Sequence, residues 1–157
     1  MSIVASVYNE AEGVEIFHKT LSDTLQNMHI DFEVIFVNDG SSDGSDIIID
    51  KLSKSYDHCK AIHFSRNYGH EAAMIAGIDH AIGEAIICMD ADLQHPPSSI
   101  PGMYQAYQKG TEIINMIRED NADAGFFKSF FSKMFYRILN KNEYSIFHLN
   151  YLSLPFK

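Results

Sequence analysis

The stretch IICMDADLQHPP, residues 86–97, carries the side chains best suited to chemistry. Asp90 and Asp92 follow an apolar run directly, and Gln94 and His95 come next. Carboxylate and amide oxygens are the ligands that hard divalent cations such as Mg²⁺ prefer, so Asp90, Asp92 and Gln94 form a candidate metal site. Two carboxylates this close repel each other, which favours a cation between them. The alternatives are a helix cap or solvated loop aspartates, and His95 is more simply an outward loop residue.

Two further polar clusters follow apolar runs, YNE at residues 8–10 and NDGSSDG at residues 38–44. Tyr8 offers a flat face on which a base can stack. Glu10 can accept hydrogen bonds from a base edge, and Asp39 can accept them from a base or a ribose. The alternative makes Tyr8 part of the core and Glu10 a first-turn carboxylate favoured by the helix dipole.

Two arginines could meet a phosphate, although each is also consistent with a plain surface cation. Arg66 follows the third apolar run, and Arg118 ends the fifth, where it is better placed to reach a diphosphate at the sheet edge. Asp43 is expected to cap the second helix. The sequence is not a Walker P-loop or a GxGxxG turn, because it lacks the lysine and the glycine spacing.

These residues are positioned by strand patterns that alternate with helical ones. The first helix shows apolar residues at steps of three or four, from Val14 to Met28, and Asn9 and Glu12 before it have capping-box spacing. Gly83 is expected to end the third helix as its C′ residue. The predicted strands cover residues 2–8, 32–38, 60–65, 84–90 and 111–117.

Five such alternations predict an α/β fold, a mostly parallel sheet flanked by helices on both faces. In sheets of this kind ligands bind beyond the carboxyl ends of the strands. The three polar clusters all lie at those ends, and this common position is stronger support for a site than any one cluster.

The tail has a different pattern. Residues 126–139 predict an amphipathic helix rich in phenylalanine with basic flanks, and residues 141–157 show no clear period. We therefore expect a core over residues 1–125 and a tail over residues 126–157 that faces a membrane surface or a partner. A core helix or a contact in a homo-oligomer is the alternative for the aromatic helix.

Composition excludes several classes of protein. The chain has 157 residues and a net charge of −9, which argues against a general nucleic-acid binder because phosphate contacts need a basic surface. Its two cysteines, Cys59 and Cys88, read as buried free thiols of a reducing compartment. We find no signal peptide and no apolar stretch of about 18 residues, so we expect a cytoplasmic protein that could lie at the cytoplasmic face of the membrane.

The motifs together resemble family 2 glycosyltransferases with the Rossmann-like GT-A fold. The similarity is greatest to polyprenyl-phosphate sugar transferases of the dolichol-phosphate mannose synthase and bactoprenol glucosyl transferase type. It covers about residues 2–140. The matching segments are YNE at 8–10, VNDGSSDGS at 37–45, SRNYGHEAAMIAG at 65–77, DADLQHPP at 90–97, Arg118 and FYRILN at 135–140.

The resemblance implies a role for each matching residue. The nucleotide pocket would be lined by Ser6, Tyr8, Glu10, Val37 and Asp39. Asp90, Ala91 and Asp92 would meet the ribose, the diphosphate and the metal, Mg²⁺ or Mn²⁺, with Gln94 completing the metal site. Arg118 would approach the diphosphate or the acceptor phosphate.

Two positions differ from the family pattern. Ser6 stands where the family usually has proline, and Asn38 stands where it often has aspartate. Neither change removes a metal ligand.

The activity implied is metal-dependent, inverting transfer of a sugar from a UDP- or GDP-linked donor to a polyprenyl phosphate. Such enzymes continue beyond this length with a further acidic segment near the acceptor. The alternative is therefore a truncated nucleotide-sugar-binding module without transfer activity. A phosphatase with an aspartate nucleophile fits less well, because that chemistry places the aspartate pair after the first strand.

Overall fold

The structure, a computed structural model, describes residues 1–92, 96–118 and 151–156, with side chains for residues 1–92 and 96–115. Within these residues it has six strands: β1 Ser2–Val7, β2 Glu33–Asn38, β3 Cys59–His63, β4 Ile86–Asp90, β5 Ile113–Arg118 and β6 Tyr151–Phe156. Its four α-helices are α1 Val14–Asn27, α2 Ser45–Ser55, α3 His70–His80 and α4 Ile100–Gln108, and a 3₁₀ turn covers Pro97–Ser99. The chain divides into two compact units, Met1–Pro101 and Gly102–Lys157.

The first unit is built on a parallel sheet with the strand order β3-β2-β1-β4. This arrangement confirms the predicted α/β architecture. β1 lies in the centre, and Ser6 is opposite Val37 of β2 on one side and Asp90 of β4 on the other. The carboxyl ends of these three strands therefore meet at one edge.

Helices cover both faces of this sheet because β1 and β2 are apolar on both sides, as buried parallel strands usually are. On one face the ring of Phe17 in α1 meets Phe36 edge-on, with centroids 6.2 Å apart. On the other face Val4 and Val37 pack with Ala73 of α3. Burial of each such large apolar side chain stabilises the fold by about 1.5–3 kcal/mol.

Gly77 lets α3 approach the sheet closely. A methyl group at this position would overlap the Cγ1 atom of Val4 and lie 3.2 Å from Val37 Cγ2. Both valines are fully buried and β-branched, so neither can rotate away easily. The absence of a side chain at residue 77 therefore allows the helix that begins at His70 to pack closely against β1 and β2.

Two expectations about helix ends are wrong. α1 begins at Val14 after Gly13 with no side-chain cap, so Asn9 and Glu12 do not form a capping box. α3 ends at His80, and Gly83 is not its C′ residue. Instead, a Cβ atom on Gly83 would lie 2.6 Å from the backbone nitrogen of Ser2, so this glycine allows the chain to pass the start of β1.

The second unit contains most of α4 together with β5 and β6. α4 ends at Gln108, and Gly110 after it has a φ of +90°. β5 was predicted, but it pairs in parallel with β6, a strand that the irregular pattern of residues 141–157 did not indicate. The predicted aromatic helix at 126–139 lies outside the described residues. None of the described helices has the length and apolar character needed to span a bilayer.

We predict that Gly77→Ala lowers the free energy of unfolding. Overpacking against Val4 should cost about 1–3 kcal/mol, more than the gain of up to about 1 kcal/mol that alanine brings to a helix. Gly102→Ala in α4 is the matched control, because no atom lies within 4 Å of its added methyl group. Urea unfolding would contradict the prediction if both variants were equally stable or more stable than the wild type.

Candidate functional site

A cavity of about 210 Å³ lies at the carboxyl ends of β1, β2 and β4. Four carboxylates lie along it, and no lysine or arginine is found among the described residues that line it. The lining residues are Ser6, Val7, Tyr8, Glu10, Asp39, Asn67, Gly69, His70, Asp90 and Asp92. Most of the predicted nucleotide and metal residues are thus brought to one place.

Asp90 ends β4 and is held by two polar side chains. Its Oδ1 accepts a hydrogen bond from the Ser6 hydroxyl at 2.7 Å and lies 3.1 Å from Nδ1 of His70. The same His70 nitrogen is 3.0 Å from the Ser6 oxygen, so the three groups form a closed triangle. All the contacts described for this carboxylate use Oδ1.

Asp92 reaches the same cavity because the chain bends after β4. The N–H of Ala91 donates to the carbonyl of Ser6 at 3.2 Å, which extends the pairing with β1 by one residue. A turn then begins at Ala91, and the partly buried Asp92 lines the cavity beside Asp90. Gln94 and His95 lie outside the described residues.

Tyr8 and Glu10 extend the cavity along the loop after β1. The side chain of Tyr8 is 50 % exposed, which suits a stacking surface better than a core position. Glu10 is half-buried, and its N–H donates to the Ser45 hydroxyl at 3.0 Å. Both residues lie before α1 begins, so Glu10 is not the first-turn carboxylate of the alternative interpretation.

The loop after β2 supports the loop after β1 through several short hydrogen bonds. Asn9 adopts a left-handed backbone, with φ +55°, and its Oδ1 accepts from the N–H of Ser42 at 2.9 Å. In return, its own N–H donates to the Ser41 hydroxyl at 3.0 Å. The N–H of Ala11 donates to Asp43 at 2.9 Å. These bonds fix the loop that carries Tyr8.

Asp43 has a dual role. It precedes Gly44, the N-cap residue of α2, so it is not the cap residue that was expected. It accepts from the N–H of Ser45, the first residue of α2, at 3.0 Å, and from the N–H of Ala11 at 2.9 Å. Burial favours the neutral form of this carboxyl group, but the hydrogen bonds from Ser45 and Ala11 outweigh that effect and lower the pKa of Asp43. The group therefore stays ionised and keeps both loops together at neutral pH.

Asp39 is buried and holds the loop after β3. Its two carboxylate oxygens accept from the N–H groups of Tyr68 at 2.7 Å and Gly69 at 3.0 Å. Gly40 beside it has φ +70°, and a side chain there would overlap the backbone of Arg66. Asp39 lines the cavity, but its hydrogen bonds are with this loop. Each of its oxygens has a second lone pair, which could still accept a hydrogen bond from a ligand.

The remaining predicted residues lie elsewhere. Val37 is fully buried in the cluster beneath α3, and Ala91 is buried as well, so neither lines the cavity. Arg66 lies over the ring of Tyr68, 4.6 Å from its centroid. Arg118 is the last residue of β5 in the second unit, and its side chain lies outside the described part of the structure.

His70 is one of four lining residues that sequence reasoning did not select as site residues; the others are Val7, Asn67 and Gly69. A single histidine after a glycine does not by itself indicate a site. Its contact with Asp90 depends on α3 packing across β1 and on β4 pairing beside it. A prediction of that neighbourhood, rather than the residue type, would have been needed to find it.

Sequence comparison identifies the family. A family profile described as "Glycosyl transferase family 2" matches residues 2–156. The chain belongs to glycosyl transferase family 2. It is 40 % identical over 141 residues to a putative glycosyltransferase, CsbB, of Bacillus subtilis, covering 90 % of this chain and 43 % of the relative. It is 38 % identical over 141 residues to a prophage bactoprenol glucosyl transferase homolog of Escherichia coli, covering 90 % and 46 %.

Solved structures show the same glycosyltransferase fold. Staphylococcus aureus TarS 1-349 in complex with UDP superposes with a TM-score of 0.56 at 19 % identity, over 79 % of this chain and 37 % of that one. The mannosyltransferase PcManGT from Pyrobaculum calidifontis, in complex with GDP-Man and Mn²⁺, gives 0.56 at 19 %, over 75 % and 35 %. The chain spans less than half the length of these relatives. This family 2 glycosyltransferase chain thus has the predicted GT-A fold.

We predict that Asp39→Asn loosens the loop after β3. An asparagine replaces one acceptor oxygen by an N–H₂ donor that faces a backbone N–H, so the free energy of unfolding should fall by about 1–3 kcal/mol. Hydrogen exchange at Tyr68 and Gly69 should become faster. Asp23→Asn, which removes an exposed carboxylate of α1, should change stability by less than about 0.5 kcal/mol. Unchanged exchange at both amides would contradict this role of Asp39.

Proposed function

We propose that this glycosyltransferase chain binds a nucleotide-diphosphate sugar in the cavity at the ends of β1, β2 and β4. The observation that carries the proposal is the convergence of Asp90, Asp92 and Glu10 with the exposed ring of Tyr8. Tyr8 supplies a stacking face for a base. Glu10, and the lone pairs that Asp39 retains, supply acceptors for its edge and for the ribose.

The negative charge of the cavity is the reason for proposing a divalent cation. The diphosphate of the donor is anionic, and the described lining has four carboxylates with no lysine or arginine to offset them. A hard cation held by Asp90 and Asp92, with Gln94 as a further ligand, would change the sign of the local charge. When bound, Mg²⁺ or Mn²⁺ would stabilise the charge that develops on the leaving diphosphate.

The donor class is proposed from the relatives. TarS was solved with UDP and with UDP-GlcNAc, and PcManGT with GDP-Man and Mn²⁺. Both donor types join a sugar to a nucleoside diphosphate, which matches a cavity with one stacking face and several acceptors. We therefore propose a UDP- or GDP-linked sugar as the donor.

The acceptor is proposed to be a polyprenyl phosphate, because several relatives are named bactoprenol glucosyl transferases. A phosphate oxygen is already an anionic nucleophile, so the transfer needs no strong general base. It would attack the anomeric carbon opposite the diphosphate, the carbon–diphosphate bond would break, and the configuration would invert. Arg118 is proposed to assist at one of the two phosphates.

The place of the reaction follows from that acceptor. A polyprenyl phosphate is anchored in a bilayer, so we propose that the protein works at the cytoplasmic face of the membrane. The aromatic segment at residues 126–139 is the proposed contact with that surface, and a homo-oligomer is the alternative use of the same segment.

We predict that one nucleotide-diphosphate sugar binds, that Mn²⁺ tightens its binding at least about tenfold, or about 1.4 kcal/mol, and that Asp92→Ala removes this effect of the metal. Calorimetry with a panel of UDP- and GDP-sugars, with and without Mn²⁺, measures both quantities. Asp46→Ala, in the first turn of α2, removes an exposed carboxylate away from the cavity and should keep the metal effect. Equal metal dependence in Asp92→Ala would overturn the proposed cation site.

A sugar-transfer assay distinguishes an active enzyme from a module that only binds the nucleotide sugar. We predict that radiolabelled sugar moves from the nucleotide found by calorimetry to a polyprenyl phosphate in detergent or vesicles, and that Asp92→Ala lowers the rate at least about a hundredfold, a loss typical of removed charge stabilisation. Asp46→Ala should leave the rate unchanged. Tight donor binding with no labelled lipid would favour the binding module instead.

A further inference from the structure

A second cluster of metal-binding side chains lies at the opposite end of the sheet. It is formed by His18 in α1, His58 directly before β3, and Cys59, the first residue of β3. One ring nitrogen of each histidine and the Cys59 sulfur all lie within 4.8 Å of one another. The glycosyltransferase cavity uses the carboxyl ends of the strands, so the two sites share no residue.

The cluster is largely buried. His18 and Cys59 have 4 % and 5 % of their surface accessible, and His58 is half-buried. The His18 ring stacks on His58 at 5.8 Å between centroids and packs against Tyr56 at 4.5 Å, and Phe32 covers the other side of His58 at 4.8 Å. These ring contacts restrict the orientations of both histidine side chains.

One atom of this cluster lacks a partner. The Nε2 atom of His58 is shielded from water, yet it makes no hydrogen bond within the described part of the chain. A buried polar atom without a partner costs roughly 1–3 kcal/mol, so native proteins usually give it a ligand, a water or an ion. The cluster therefore contains both a set of ligands and a group that a ligand would satisfy.

The surroundings supply support for a bound ion. A metal-binding histidine usually donates its second ring N–H to a nearby oxygen, which fixes the ring. The Ser22 hydroxyl, 3.2 Å from Nε2 of His18, can take that role. A cavity of about 480 Å³, lined in part by His18, His58, Ser22 and Tyr56, gives an ion and a water a path to the cluster.

The two histidines are in the protonation state that binds a metal, whereas the Cys59 thiol must lose its proton first. Burial lowers the pKa of His18 and of His58, so both rings are neutral at pH 7 and carry a free lone pair. Burial raises the pKa of the Cys59 thiol to about 12. Binding through sulfur therefore releases the thiol proton to solvent as the metal–sulfur bond forms.

We propose that His18, His58 and Cys59 form a binding site for a divalent transition-metal ion of the Zn²⁺ type, separate from the glycosyltransferase site. Imidazole and thiolate are both ligand types that zinc binds, whereas Mg²⁺ prefers oxygen ligands such as those at the other end of the sheet. A water from the adjoining cavity completes four-coordination.

The geometry needs only a small adjustment. Zinc–nitrogen and zinc–sulfur bonds of about 2.0–2.3 Å place tetrahedral ligand atoms roughly 3.3–3.8 Å apart. The ligand atoms lie within 4.8 Å of one another, so each pair must close by no more than about 1–1.5 Å. Rotation of the two histidine side chains is the proposed source of this movement. The bound ion would tie α1 to the start of β3.

Cobalt titration of the full chain in metal-free buffer tests the site. Co²⁺ bound to a thiolate gives a charge-transfer absorption that Co²⁺ on carboxylates lacks. We expect this band at one ion per chain, and we expect Zn²⁺ to abolish it by competition. Saturating Zn²⁺ at about a hundred times its Kd should also raise Tm by roughly 5–10 °C relative to the metal-free protein.

Matched variants assign the ligands. Cys59→Ser should lose the band, and His18→Gln and His58→Gln should each weaken binding at least about tenfold. Cys88→Ser, which changes the other cysteine, on β4, should keep the band, and so should Asp92→Ala at the opposite end of the sheet. Comparing each variant with and without Zn²⁺ separates loss of metal binding from loss of fold.

Three results would overturn the proposal: no band in the wild type, a band that survives Cys59→Ser, or wild-type affinity in both histidine variants. The outcome is independent of nucleotide-sugar binding, which is measured with Mn²⁺ and depends on Asp92.

Discussion

The convergence of carboxylates at one edge of a parallel sheet is the constraint on which the site depends. Parallel strands bring their carboxyl ends to one edge, so Asp39 and Asp90 line the same cavity although they are far apart in sequence. The fold restrains each acid with its own donors. Two backbone N–H groups bind Asp39, and the Ser6 hydroxyl binds Asp90. The negative charge that these donors leave uncompensated is the charge that the proposed cation would balance.

The same hydrogen bonds that restrain the acids also preorganise the loops. Asp39 ties the loop after β3 to the end of β2, while Asp43 and Asn9 join the loops after β1 and β2. Tyr8 therefore stands on a loop whose backbone is already bound on its inner side. Binding of a ligand that stacks on this ring would cost little conformational entropy of the loop, because the loop is already held by these hydrogen bonds.

The sequence predicted the elements better than the contacts between them. Apolar runs located β1, β2 and β4 within a few residues, and the common position of the polar clusters predicted the cavity edge. Predictions from local spacing were wrong where tertiary hydrogen bonds determine the conformation. Asn9 has the spacing of a capping box, but it adopts a left-handed backbone and accepts a hydrogen bond from Ser42 instead. Likewise, the approach of His70 to Asp90 is set by strand order and helix packing, which no single-residue signal contains.

Ser6 shows how a departure from a family pattern can be local and useful. Members of the resembling family usually have proline at this position, and a proline has neither an N–H nor a hydroxyl to donate. Here the Ser6 hydroxyl meets both Asp90 and His70, so the acid at the end of β4 is held in one orientation by its neighbours on β1 and α3. A carboxylate that is already oriented loses less side-chain freedom when it binds a cation. The serine thus supplies a positioned donor where a proline would have none, and this donor orients the carboxylate that we propose as a metal ligand.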